Sequence, residues 1–247
     1  MRQKLIIILS FMLVFSKLSF AESGWQFGIM VPVGASFSFY NVNFFKDAPS
    51  DYVNNYKKKV GSVGFDSGIN INAGYLITDG NKGISLLLDL GYSHDTFSLT
   101  DFYNNNGVNV NKKEYYTFES LSLGILPKFH YNNFAFGLGI GVKIPMHLTH
   151  TLESSHDNTI TEMTSYYKVS QMNDVMKNAV MTYIKLTFDY SFYVHNEIAV
   201  VLGAYMGTDF GIDLRGAERE YVDSRNLASF DLGVQLGLKF GQGIFGL

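Results

Sequence analysis

Residues 228–240 read ASFDLGVQLGLKF, and the alternation within this stretch decides the fold. Ala228, Phe230, Leu232, Val234, Leu236, Leu238 and Phe240 fall on one side; Ser229, Asp231, Gly233, Gln235, Gly237 and Lys239 fall on the other. A period of two without a slip is a β-strand, because successive side chains leave opposite faces of the pleat. One face is apolar and carries aromatics towards its ends, while the other is polar, charged or glycine. Such a strand suits a position between hydrocarbon and a polar interior.

The same reading recurs at 25–40, 65–78, 84–97, 115–131, 134–148, 180–194 and 197–210. The segment 134–148 is the cleanest, with Phe134, Phe136, Leu138, Ile140, Val142, Ile144 and Met146 against Ala135, Gly137, Gly139, Gly141, Lys143 and His147. Short turns at 79–83, 132–133 and 195–196 are rich in Gly and Asn, which tolerate positive φ. Long polar connections at 41–64, 100–114, 149–179 and 211–226 alternate with them. That rhythm belongs to an up-and-down meander with its long loops at one end. A tilted strand crosses a bilayer in about 10 residues, and lipid leaves no open sheet edge solvated, so the last strand must pair with the first. The sequence therefore predicts an all-β protein, a closed antiparallel up-and-down transmembrane β-barrel of eight strands. A soluble barrel would place the apolar face inside, but Phe, Leu, Ile and Val at nearly every position would overfill so narrow a cavity.

The composition agrees with one folded domain: 47% hydrophobic and 17% charged side chains over 247 residues do not describe a disordered chain. Absence of cysteine excludes a disulfide scaffold and any Cys-based zinc site. A formal charge of −3 gives no ground for a nucleic-acid partner. Met1-Arg2-Gln3-Lys4, the apolar run 5–15 and the small-residue pattern Ser19-Phe20-Ala21 read as a signal peptide over 1–21, leaving 22–247 as the barrel and the cell outer membrane as its destination.

Asp66, Asp89, Asp95, Asp189, Glu197, Asp209 and Asp231 share the inward face with Lys128, Lys143, Lys185 and Lys239. Charges in a tight interior need partners, so these residues are expected to form an ion-pair network that plugs the lumen. The alternative is a narrow porin-like channel for ions or small solutes, with selectivity set by the same charges. Trp25, Phe27, Tyr75, Tyr131, Phe134, Phe192 and Phe240 are placed to form an aromatic girdle at the periplasmic boundary.

On this alternation and loop rhythm the chain resembles the small eight-stranded outer-membrane barrels of the OmpX and OmpA-transmembrane-domain type. The resemblance implies a monomer in outer-membrane lipid, inserted by the barrel-assembly machinery through a C-terminal aromatic. Phe240 holds that place on the strand, and Phe245 in the tail is the alternative.

Chemistry is sparse. Ser93-His94-Asp95 offers a nucleophile, a base and an acid, yet His94 points away from the face that Ser93 and Asp95 share. The cluster His147, His150, Glu153 and His156 has no regular metal-ligand spacing. Neither an enzyme nor a cofactor is expected. The connections 41–64 and 149–179, rich in Tyr, Asn and Ser, remain as surfaces for an extracellular or host ligand. Near-helical spacing within 165–178 suggests a short helix at the rim.

Overall fold

Strands that face hydrocarbon must satisfy every backbone amide by pairing sideways, and this chain does so in a ring. The computed structural model describes residues 23–56, 59–105, 108–156, 159–215 and 221–241. The expected signal peptide and Phe245 lie outside them. The chain runs β1 (Gly24–Phe44), α1 (Ser50–Tyr56), β2 (Lys59–Asp79), β3 (Lys82–Asn105), β4 (Val108–Tyr131), β5 (Phe134–His156) and β6 (Thr159–Lys168). A 3-10 turn (Val169–Gln171), α2 (Met172–Val175), β7 (Met176–Asn178), β8 (Met181–His195), β9 (Ile198–Leu214) and β10 (Val222–Gly241) follow. Pairing is antiparallel around β10-β1-β2-β3-β4-β5-β8-β9, and β9 returns to β10. At the seam Phe27 faces Phe240 and Phe37 faces Phe230, while Leu232 sits opposite Met206 on the other side. No described helix is long and apolar enough to cross a membrane.

Turns at 80–81, 132–133 and 196–197 lie together at one end of the barrel, with Gly80 and Asn132 at positive φ. Above the apolar outer band the structure departs from the expected long loops. The supposed connection 100–114 is strand, because β3 and β4 stay paired up to Asn105 opposite Val108. Likewise β5 and β6 pair from His147–Lys168 to His156–Thr159. Most of 211–226 is strand as well, and in 41–64 only the middle leaves the sheet. Polarity had suggested loops; in the β5–β6 hairpin the many Thr and Tyr favour a pleated surface, while the Asn-rich 100–114 is strand through its pairing. Water on the outer side, rather than the end of a strand, explains their polarity. At 24 residues β3 is roughly 80 Å long, far beyond what a bilayer needs. The rim helix exists but is confined to the seven residues 169–175 that β6 and β7 leave free.

Among several register shifts, two bulges reshape the interior. Ser120 pairs with Pro145 and Glu119 with His147, so Met146 is an extra residue and β5 changes faces there. His147 consequently points outward, correcting its expected inward place, and Leu148 turns in and is fully buried. On β9, Ser229 pairs with Asp209 and Leu227 with Ile212, and Gly211 in between has φ +106. This shift sends Ile212 and Leu214 inward. Gly211→Val is expected to destabilise by roughly 1–3 kcal/mol, since a β-branched residue is strained at that φ. A lower unfolding midpoint in lipid vesicles checks it; an unchanged midpoint would mean the bulge can relax.

Candidate functional site

The inward residues form layers. At the mouth on the short-turn side Ser85 bonds the His130 ring at 2.8 Å, and Lys239 donates to Ser191 and Tyr193 at 3.0 and 2.8 Å. Lys128 then pairs with Asp189 at 2.6 Å, and Gln235 donates to the other carboxylate oxygen at 2.5 Å. Higher up Lys185 meets Asp89 at 2.5 Å, and Lys143 bridges Asp95 and Asp209 at 2.8 and 2.5 Å. Ser229 donates to Asp231 at 3.1 Å. Every inward Asp and Lys named from the sequence thus lies on the inner wall with a hydrogen-bonding partner, apart from Glu197, which occupies an exposed turn.

Two tyrosines knit these layers across the bore. Tyr183 on β8 passes over Gly141 and Gly124 to donate to Asp89 on β3 at 2.8 Å. Tyr205 on β9 runs the other way over Gly233 and Gly34 to donate to Asp66 on β2 at 2.6 Å. A Cβ on Gly34 would stand 2.5 Å from the Tyr205 hydroxyl, so the glycines of the inner face are slots for these rings. Two voids between these layers are small. One of about 60 Å³ lies among Asp66, Asn70, Lys143, Tyr183 and Tyr205, and one of about 30 Å³ lies near Asn72, Lys128 and His130. Each has room for no more than a few waters.

Above the charges the interior is apolar, which corrects the expectation of a polar lumen throughout. Phe97, Leu99, Tyr116, Phe118, Leu148, Met181, Ile212, Leu214 and Leu227 converge from six of the ring strands. Met172 and Met176 reach into the same cluster from the segment 169–178. That segment bridges a break in the wall, where β5 has exchanged β8 for β6 and β9 has exchanged β8 for β7. It is tied down by Arg215 N–H to the Val175 carbonyl at 2.6 Å and by Asn178 to the Gly211 carbonyl at 2.6 Å. One signal for this plug was present in the sequence: Phe97 and Leu99 continue the face that carries Asp89 and Asp95.

Over the plug lies a cluster that sequence reading did not assemble. Glu114 binds Lys59, accepts from Tyr116 at 2.6 Å and meets His150 Nε2 at 2.8 Å; the Tyr116 and His150 rings stack 4.4 Å apart. Burial would raise the Glu114 carboxyl, but the His150 hydrogen bond, the Lys59 ammonium and the Tyr116 hydroxyl outweigh it and hold it at about 2. A carboxyl lowered on folding contributes stability that is complete above its unfolded value of about 4.5 and disappears as pH falls towards 2. The wild-type unfolding midpoint should therefore drop between pH 5 and pH 2 more steeply than that of Glu114→Gln. Parallel profiles would remove Glu114 as the cause.

The remaining candidates separate. Ser93 donates to Asp95 inside at 2.7 Å, while His94 faces outward onto Glu119 at 2.6 Å, so the tripeptide does not converge. His150 points in and His147 out, and among the described residues no three His, Asp or Glu side chains surround a metal position. Trp25, Phe27, Tyr75, Tyr131, Phe134 and Phe192 are exposed on the outer wall near the end that carries the short turns, and Phe240 lies in the same zone. Trp25 packs edge-on to Tyr75 at 5.6 Å, and Tyr190, not foreseen, joins Phe134 and Phe192.

A closed ring with an apolar outer wall and an interior filled by paired charges and an apolar plug is the architecture of a β-barrel built to stand in lipid. Similar solved structures include the outer membrane protease OmpT from Escherichia coli, 10% identical over 91% of this chain and 98% of that one, with a TM-score of 0.37. OprG from Pseudomonas aeruginosa is 12% identical over 89% and 96%, with a TM-score of 0.36. Ail, the attachment invasion locus protein of Yersinia pestis, is 10% identical over 87% and 98%, with a TM-score of 0.29. No family model matches the chain, and no curated protein matches it in sequence.

Proposed function

We propose that this protein is a non-enzymatic, monomeric surface barrel with a sealed lumen, whose extracellular extension contacts an external or host ligand or braces the envelope. The observation that supports this reading is the apolar plug: a conduction path would have to pass Phe97, Phe118, Leu148, Met172 and Met176 between the Glu114–Lys59 pair above and the lumen charges below. The lumen charges then act as structural ties and the girdle residues as anchors in the lipid interface. Ligand contact is assigned to 41–64 and to 149–179, where the hairpin β5–β6 exposes Leu152, Ile160 and Met163. Phe240, on the outer wall of the closing strand, is the residue assigned to the assembly machinery.

Recording in planar bilayers separates this reading from a channel. The refolded wild type should give no discrete conductance, whereas Met172→Ser/Met176→Ser should loosen the plug and raise the leak. Stepwise openings in the wild type would transfer the assignment to the narrow channel. Cells displaying the chain should also retain more host-cell extract than cells displaying Ile160→Ser/Met163→Ser; equal retention would leave envelope support alone.

A further inference from the structure

The outer wall of β3–β6 changes character in ordered rows just above the apolar band. The first row carries Ser67, His94, Glu119, His147 and Lys168, in register across β2 to β6. Next comes Thr96-Thr117-Thr149-Tyr166, and then Tyr115-Thr151-Thr164. Charge returns only at Lys113-Glu153-Glu162. From His147 to Glu153 is about 20 Å along the strand, and four strands span about 14 Å, which is the size of a short oligosaccharide.

An exposed sheet wall is ordinarily covered by long charged side chains. Here two rows carry short hydroxyls and aromatic rings instead. Thr96 bonds Thr117 and Thr151 bonds Thr164, each at 3.1 Å, which fixes their orientation while leaving lone pairs outward. Tyr166, two-thirds exposed, stacks on His147 at 6.1 Å and presents a flat face. Hydroxyls that both donate and accept, beside aromatic faces, match a sugar ring with its hydroxyl edge and apolar C–H face. A phosphate fits less well, because Glu119 sits between His94 and His147 in the row below and already binds His94 and Tyr92. The wall is continuous with the membrane-spanning band, so the sugars at its height are those of the leaflet itself.

We propose that the outward hydroxyl and aromatic rows of β3–β6 dock the saccharide headgroup of a glycolipid in the surrounding outer leaflet. This rests on the outer-membrane position and not on any ligand of the extracellular extension. The protein is to be refolded in phospholipid nanodiscs alone, with core-bearing lipopolysaccharide, and with lipid A lacking core sugars. Core-bearing lipid should raise the unfolding midpoint by several degrees, and sugar-free lipid A should not. Tyr166→Ala/Thr149→Ala and, separately, Thr117→Ala/Thr151→Ala should lose that rise while matching the wild type in plain discs, which shows that they fold. An equal rise with sugar-free lipid A would assign recognition to phosphate or acyl chains and overturn the proposal. So would a rise that both variants keep, or no rise at all. Free core oligosaccharide at matched concentration should act far more weakly, because tethering in the leaflet raises the effective concentration. Equal potency would make a soluble glycan the occupant and overturn the assignment to lipid.

Discussion

Arginine in place of Leu232 or Leu236 is expected to cost about 2–4 kcal/mol each, enough in combination to prevent assembly. Both side chains lie on the outer wall of β10, the strand that closes the ring, at 47% and 57% exposure. Their pairing partners, Ala35 and Met206 for Leu232 and Val31 and Leu202 for Leu236, belong to the same apolar band. A guanidinium there enters hydrocarbon with no partner within reach. A folded barrel resists detergent without boiling and migrates differently after it, so the fraction shifted on a gel reads assembly directly. Arginine at half-buried Val222, on the same strand but at its opposite end, is the control that should assemble normally. Normal assembly of both leucine variants would mean that the wall does not face lipid.

Lys143→Met is the second large effect, expected to cost about 3–5 kcal/mol. Its ammonium is the only cation within ion-pair distance of Asp95 and Asp209 among the described residues, and Asp66 and Asp231 line the same cavity. Removing it leaves buried carboxylates facing one another, since the hydroxyls of Ser93, Ser229 and Tyr205 can bond them but cannot balance their charge. The double variant Lys143→Met/Asp209→Asn should recover part of the loss, because one of the stranded charges is gone. Denaturant unfolding in vesicles, followed through Trp25, the single tryptophan, supplies the measurement. A double variant weaker than Lys143→Met would show that Lys143 acts through packing.

How much of this was legible in the chain follows from what sets each feature. Side chains alternate faces by the geometry of the strand alone, so the outward Phe230 to Phe240 series and the inward Asp231 and Lys239 could be read without a structure. Turn positions were legible for the same reason, since Gly80 and Asn132 need positive φ. Strand ends were not: above the apolar band the outer face meets water, and polar Thr and Tyr look like loop until a neighbouring strand is there to pair with them. Nor were the bulges, because an extra residue such as Met146 is defined only against its partner strand.

The sequence by itself determined a closed eight-stranded wall, its two faces and the residues on each, because hydrocarbon on one side and a narrow interior on the other restrict every position independently. Only the tertiary structure decided what the interior does. Whether Lys143 meets Asp95 or another carboxylate, and which glycines admit Tyr183 and Tyr205, depend on strand stagger around the ring. That Met172 and Met176 fold back to close the mouth depends on the break that β6 and β7 leave in the wall. Such relations join residues dozens of positions apart, and no local periodicity carries them.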